Sequence, residues 1–301
     1  MTLIRILATV IIVTRLFLMQ AAIADEPTTQ QLLELHTREA KAYRIALDEA
    51  GETRLEVQTK PVFAWTNPVG DGVQTGHIFV WTSGGRPEVI GTVFSLINSE
   101  NHKRAVVHEF HTLSESKLFP ERAPQASEVW LPERPLNFQV LNELGPPDKA
   151  AVSRLRQMRE IARSVNARTI DSSEMKRELR LLTTPLMRYA PTAGSVVDGA
   201  IFAMVSSDGT DPELLLLIEA CKTSTIGDLK WRFAAVRFSD KDLEVERDTQ
   251  IVWSSKLDPS RRVIIARNYR LLYTEHREYI CFRAKEIDEL QAIQSLENPR
   301  N

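Results

Sequence analysis

Cysteine is nearly missing: Cys221 and Cys281 are the only two in a chain of 301 residues. That excludes a disulfide scaffold and leaves no Cys-x-x-Cys pair for redox or zinc chemistry. Export would permit a bridge between the two, although two cysteines in so long a chain more often simply pack. The glycines form no phosphate-cradling loop and no dinucleotide fingerprint, and no Gly-x-Ser-x-Gly elbow is present. Beyond Ala24 no apolar run is long enough to span a bilayer. Basic charge has no excess either, with 38 Lys and Arg against 40 Asp and Glu. Nucleic acid is therefore not expected as a main partner, because phosphate binding draws on clustered cations. Local basic pieces such as Arg154 to Arg163 fit solvated helix faces.

What is present is an ordinary globular composition, 43% hydrophobic and 26% charged, of a length that favours about two domains. Residues 1–24 have the form of a signal peptide. Arg5 precedes the apolar run Ile6 to Val13, a second run Leu16 to Met19 follows, and Ala22-Ile23-Ala24 stands before Asp25-Glu26. Arg15 interrupts the apolar stretch, which also argues against an uncleaved transmembrane anchor. No cysteine follows the leader to carry a lipid. The expectation is an exported protein, periplasmic or extracellular, soluble once the leader is cut and without a membrane span.

From Thr28 to Ala50 the positions Leu32, Leu35, Ala40, Tyr43, Ala46, Leu47 and Ala50 follow helical spacing, and Gly51 sits where a C-terminal cap would. A second helix is signalled by Pro146-Pro147-Asp148 with Asp148 as N-cap, continuing through Val152, Leu155, Met158, Ile161, Ala162 and Val165. After each helix comes a β-rich stretch, and the two stretches overlay at an offset near 124 residues. Leu55 meets Leu179, Pro61 meets Pro185 and Trp65 meets Tyr189; Gly76 to Phe79 meets Gly199 to Phe202, and Pro87-Glu88 meets Pro212-Glu213. Phe110 then meets Phe233 and Trp130 meets Trp253. The slips in offset fall in hairpin loops, where length changes are tolerated, as expected for a repeated unit.

The expected class is α+β: two tandem related units, each a lead helix plus a mainly antiparallel sheet, with a C-terminal strand and helix extension. The boundaries are a first unit over 25–132, a Pro-rich linker over 133–149, a second unit over 150–257 and the extension over 258–301. Strands are expected at Leu55 to Val57, Ile78 to Trp81, Val89 to Leu96, Val106 to Leu113 and Val129 to Leu131, then a tail strand from Arg262 to Tyr273 and a helix from Ala284 to Leu296. The tail is placed against an open edge of the second sheet.

One segment concentrates catalytic residue types: His108, Glu109 and His111 in Val106 to His111, with His102 upstream. On a strand, residues three apart point to opposite faces, so His108 and His111 could not share an ion, and the spacing is not that of a helical zinc motif. In the overlay Trp231, Phe233 and Ala234 occupy the places of His108, Phe110 and His111, which favours a packing role. A second cluster, Trp65, Asn67, Trp81, Arg86 and Glu88, combines aromatic platforms with polar groups able to hold a sugar or planar ligand. Residues shared with the second unit, Trp65 with Tyr189 and Glu88 with Glu213, speak instead for the common fold. The loop Ser206 to Asp211 lacks a full calcium ligand set and fits an Asp-Gly turn. Cys281, among Tyr279, Ile280 and Phe282, fits an inert packed thiol. No metal or cofactor is expected, and the candidate partners are an envelope protein or a glycan.

Through Trp65 to Pro68, Phe79 to Thr82, Gly85 to Glu88, His108 to His111, Pro185 to Tyr189 and Asp198 to Phe202 through Thr210 to Glu213, the chain resembles a family of exported bacterial proteins found mainly in planctomycetes. The resemblance spans residues 28–257 and implies export and one repeated unit design; it carries no catalytic residue across. The functional expectation is a non-catalytic binding or structural protein of the cell envelope, with an envelope hydrolase using Glu109 with His108 or His111 as the alternative.

Overall fold

The computed structural model describes residues 29–67, 73–97, 103–122, 130, 132, 135–207, 209–224, 227–256, 263–265, 270–275 and 279–288. The expected leader and the residues Val129 and Leu131 lie outside them. In chain order α1 (Thr29–Lys41) leads to β1 (Tyr43–Ala46), β2 (Glu56–Val57), β3 (Phe63–Asn67), β4 (Gln74–Ser83), β5 (Arg86–Ile97), β6 (Lys103–Thr112), β7 (Phe119–Arg122) and β8 (Gln139–Val140). Then follow α2 (Ala151–Arg163), β9 (Val165–Ile170), β10 (Lys176–Glu178), β11 (Arg180–Leu181), β12 (Met187–Tyr189), β13 (Val196–Val205), β14 (Pro212–Lys222) and β15 (Leu229–Arg237). The chain continues through β16 (Asp242–Arg247), β17 (Gln250–Ser255), β18 (Val263–Ile265), β19 (Arg270–Glu275) and β20 (Tyr279–Asp288).

Among the described residues there are two helices, and the sheets are antiparallel, an α+β architecture. The first large sheet runs β18-β19-β20-β6-β5-β4-β2, with β3 also on β4; the second runs β11-β13-β14-β15-β8, with β12 also on β13. A four-stranded sheet, β10-β9-β16-β17, and the pair β1-β7 complete the set. The two large sheets pack face to face. Trp65, Ile78, Val80, Ile90 and Leu113 of the first share one apolar cluster with Tyr189, Ile201, Leu215, Leu217 and Val236 of the second. On the outer face of the first sheet Phe79, Trp81, Val93, Val106 and Phe110 cluster with Leu35 and Ala40 of α1. On the outer face of the second, Phe202, Leu214, Leu216, Ile218 and Phe233 cluster with Met158, Ile161 and Ala162 of α2. The order of layers is helix, sheet, sheet, helix.

Covering both faces explains why the central strands do not alternate. Most antiparallel sheets leave one face wet, but Leu214 to Ile218 of β14 are all fully buried, successive side chains serving the inner and outer clusters in turn. Each such side chain contributes about 1.5–3 kcal/mol by leaving water.

Several boundaries differ from the expectations, each for a tertiary reason. The first helix stops at Lys41 and not at Ala50, because residues 43–46 are drawn into pairing with β7. Tyr43 and Ile45 are buried with Arg44 exposed, a period of two. Gly51 is not a helix cap but sits at φ +72 in the following turn, where Asp48 accepts the N–H groups of Glu52 and Thr53. The second helix begins at Ala151, three residues after the expected cap, and Asp148 accepts the N–H of Ala150 just outside it. Val165 belongs to β9. The segment expected as a linker contributes β8, which pairs with β15.

The tail departs most. Residues 284–288, expected to open a helix, are extended in β20, and β20 pairs with β6 of the first sheet, not with the second. A ladder of main-chain hydrogen bonds along β6 outweighs the weak helical pattern of that segment. The expected tail strand is represented by β18 and β19, and residues 289–301 lie outside the described ones. Cys221 and Cys281 are both free and buried.

Two close approaches pin the inner faces. Trp65 lies opposite Gly76 and Tyr189 opposite Gly199 in their ladders. A Cβ on Gly76 would lie 2.2 Å from the Trp65 ring, and one on Gly199 2.5 Å from the Tyr189 ring. Gly76→Ala and Gly199→Ala are each expected to destabilise the protein by about 1–3 kcal/mol through overpacking. Gly145→Ala, with nothing within 4 Å of the added carbon, should stay within about 0.5 kcal/mol; equilibrium urea unfolding measures all three.

Candidate functional site

Strand β6 lies between β5 and β20, so both its edges are paired and its side chains alternate between two buried environments. Arg104, Val106, His108 and Phe110 face α1, whereas Glu109 and His111 face the other way. The expected trio is thereby split: Glu109 and His111 share a face that His108 does not.

On the helix side, His108 is fully buried. Its Nδ1 is 2.7 Å from the Tyr43 hydroxyl and its Nε2 is 3.3 Å from Glu39 of α1. Lys285 of β20 donates to the other oxygen of Glu39 at 2.6 Å. Burial alone would raise the Glu39 carboxyl, but the His108 and Lys285 partners outweigh it and hold the group down at about 2. Next along the helix, His36 and His77 meet Nδ1 to Nδ1 at 2.8 Å, His36 Nε2 lies 3.1 Å from Ser95 Oγ, and Arg104 donates to that oxygen at 3.3 Å. Burial lowers both His36 and His77; for His36 the nearby His77, Arg104 and His108 add to the effect.

On the opposite face, Tyr279 of β20 donates to Glu109 at 2.6 Å. Burial pushes the Glu109 carboxyl up to about 8 in spite of that bond, and the negative groups Asp240, Asp211 and Glu213 push the same way. Burial lowers His111 to about 4, although its Nδ1–H donates to the Thr112 carbonyl at 2.6 Å. His102 lies outside the described residues.

The expected ligand cluster is divided as well. Trp65 is in the inter-sheet layer, its Nε1–H donating to Thr92 Oγ1 at 3.1 Å, while Trp81 is on the helix side against Tyr43 and Phe110. The two rings present no common platform. Asn67 ends β3 beside the loop of Gly209, where Thr210 Oγ1 donates to the Thr66 carbonyl at 2.8 Å and accepts the Thr66 N–H. That loop, whose Asp208 lies outside the described residues, is tied to the first sheet in this way.

Arg86 and Glu88 do come together, 3.1 Å apart, inside a network that joins the sheets. Arg86 reaches Glu219 of β14 at 3.2 Å, and Arg232 of β15 bonds both Glu219 and Glu115, at 2.6 and 2.5 Å. Tyr189 donates to Glu219 at 2.7 Å, and the Arg232 guanidinium lies 4.1 Å from the centre of the Phe138 ring. Glu219 has no exposed surface, so this carboxylate is held by two guanidinium groups and a phenol in place of water. Burial raises both thiols, Cys221 to about 12 and Cys281 well above its ordinary value, which closes thiolate chemistry at neutral pH.

No family model, no curated protein and no solved structure matches this chain. Function therefore has to be argued from geometry. Among the described residues no group of three or more His, Cys, Asp or Glu side chains could hold a metal ion, and no helix is long and apolar enough to cross a membrane.

Several of the groups that matter were not singled out from the sequence: His36, Glu39, His77, Arg104, Glu219, Arg232, Tyr279 and Lys285. Three left a visible signal. His36 and Glu39 interrupt the apolar stripe of a helix at spacing three, and Glu219 interrupts the apolar run of β14. A charge in a buried run requires a partner, and that partner comes from a distant segment.

Glu109 yields a pH test. Its folded pKa is above the unfolded value, so the folded state holds an extra proton between about 4.5 and about 8, and stability falls as pH rises through that window. Glu109→Gln keeps an acceptor for Tyr279 and removes the titration. The variant should gain on the native protein by up to about 1.4 kcal/mol per pH unit across the window, with the two converging near pH 4.5; urea unfolding at pH 4.5, 6 and 8 provides the check.

Proposed function

We propose that the chain is an exported, non-catalytic binding or structural protein of the cell envelope, built from two copies of one helix-plus-sheet module packed face to face. One observation carries the non-catalytic reading: the candidate catalytic groups are consumed by the fold. His108 is engaged by Tyr43 and Glu39, Glu109 by Tyr279, and His111 by the Thr112 carbonyl, all three under 10% exposed. A hydrolase pairing Glu109 with His108 is disfavoured further by their placement on opposite faces of β6.

Support for two copies comes from matching details. Each helix has 13 residues. An aromatic ring from β3 or β12 covers a glycine of β4 or β13, and the hairpins β4-β5 and β13-β14 each carry a register irregularity at the residue after a proline, Glu88 after Pro87 and Glu213 after Pro212. The Glu88 carbonyl accepts the N–H of Leu113 as the Glu213 carbonyl accepts that of Phe238. The contacts between modules are reciprocal: Thr192 N–H donates to the Gly84 carbonyl, and Thr66 is bonded to Thr210. The ladders revise the overlay in one place. Val93 pairs with His108 and Ile218 with Phe233, so Phe233, not Trp231, stands at the position of His108, with Ala234 at Glu109 and Val236 at His111. The shorter first hairpin shifts the alignment, and the residues in place of His108 and His111 are apolar on either alignment.

Export predicts a mature protein starting at Asp25 in the envelope or medium fraction. N-terminal sequencing that finds Met1 on a cytoplasmic protein would sink the export reading. The purified mature protein should show no esterase, peptidase or glycosidase turnover above background; turnover that Glu109→Gln abolishes while leaving the far-ultraviolet spectrum intact would establish the hydrolase instead.

A further inference from the structure

We propose that α1 is an acid-released latch: the docking of this helix depends on a single proton shared between His36 and His77, while α2 docks without any titratable contact of that kind. The inference stands apart from the export reading.

The hydrogen-bond directions follow from chemistry. Arg104 can only donate, so Ser95 Oγ accepts from it, and the Ser95 hydrogen remains to be given to His36 Nε2. With Nε2 accepting, neutral His36 carries its proton on Nδ1 and donates it to His77 Nδ1, 2.8 Å away. The relay is complete with both rings neutral. A further proton is costly at either ring: protonating His77 sets two N–H donors against each other across 2.8 Å, and protonating His36 places a charge on a fully buried ring beside the Arg104 guanidinium, with Ser95 Oγ then accepting from both. Charges around the pair sharpen this. Arg104 and His108 approach from β6 and oppose a positive His36; Glu39 of α1 favours it, but that carboxylate is already engaged by His108 and by Lys285 of β20, with Tyr43 of β1 on the far side of His108.

The second helix supplies the contrast. His36 and Glu39 are the eighth and eleventh residues of α1; the eighth and eleventh residues of α2 are Met158 and Ile161, both buried. By ladder position His77 corresponds to Ala200, Ser95 to Ala220, Arg104 to Leu229 and His108 to Phe233. Residues 150–257 contain no histidine. One architecture thus carries a histidine-based helix interface in one place and, in the other, an apolar one whose start is held by the ion pair of Arg154 with Asp198. Released α1 would uncover part of the outer apolar face of the first sheet, including Phe79 and Val93.

The sign is fixed by linkage. Neutral histidines in the docked state and ordinary ones in the released state mean that docking is intact above about pH 6.5 and weakens as pH falls, by up to about tenfold per pH unit for each histidine. Glu39 stays ionised in both states above pH 5, and Glu109 and His111 lie on the opposite face of β6; His108, which contacts Glu39 of α1, is the one other histidine at this interface among the described residues, and a variant that removes only His36 and His77 separates its contribution from that of the pair.

The test is amide hydrogen exchange on the full mature chain, corrected for intrinsic exchange at each pH. The opening constant of α1 relative to that of α2 is expected to rise at least about tenfold between pH 7 and pH 5 if one histidine titrates, and by several hundredfold if both do. An unchanged ratio overturns the proposal, as does equal acceleration in both helices. The double variant His36→Met with His77→Ala, copying Met158 and Ala200, should flatten the dependence; a folded variant that keeps the full acid response also overturns it. Should that variant not fold, His36→Met alone serves the comparison, and a folded single variant that keeps the full acid response overturns the proposal.

Discussion

The face-to-face burial of the two large sheets is the constraint from which most of the molecule follows. Once Ile78, Val80 and Ile90 are committed against Ile201, Leu215 and Leu217, the outer faces of both sheets also need cover, and a helix lies over each. Strands buried on both sides read as continuous apolar runs, and any polar side chain on them is desolvated whichever way it points. Such groups persist only where a partner arrives from another element. That requirement accounts for the Glu219 network between the sheets and for the Glu39 and His36 contacts beneath α1.

The two helix-covered sheets meet that requirement differently. Beneath α2 the helix interface is apolar at its centre, with Met158 and Ile161 against Ala200, Ala220 and Phe233, and Arg154 pairs with Asp198 at its start. Beneath α1 lie histidines, a serine, a carboxylate and an arginine, satisfied pairwise. An apolar interface is indifferent to pH, whereas a relay of neutral imidazoles depends on it. The tail adds to the asymmetry, since β20 lies along β6 and supplies both Tyr279 to Glu109 and Lys285 to Glu39. The first sheet is thus the one whose polar interior is assembled from three distant parts of the chain.

Much of the local architecture was legible in the letters. The positions of β4, β5, β6 and β13 follow from β-branched and aromatic runs bounded by Gly and Pro, and the existence of both helices from their apolar spacing. The first helix was read too long because Tyr43 and Ala46 fit a period of 3.6 as well as a strand, and only pairing with β7 decides between the two. Of the candidate site residues, His108, Glu109 and His111 were visible as a cluster. Their separation by face was legible from strand geometry, but their partners were not, because Tyr43, Glu39 and Tyr279 reach them across contacts with no sequence signature.

By itself the sequence determined the class, the two helix-plus-strand stretches and the burial of the central strands, since these rest on local propensity and apolar content. Only the tertiary structure decided which face of a strand looks at which layer, that the tail completes the first sheet, and that each buried charge meets a counterpart. Those choices are set by long-range pairing, in which a hydrogen-bond ladder or an ion pair joins segments more than a hundred residues apart, and no local pattern encodes the identity of so distant a partner.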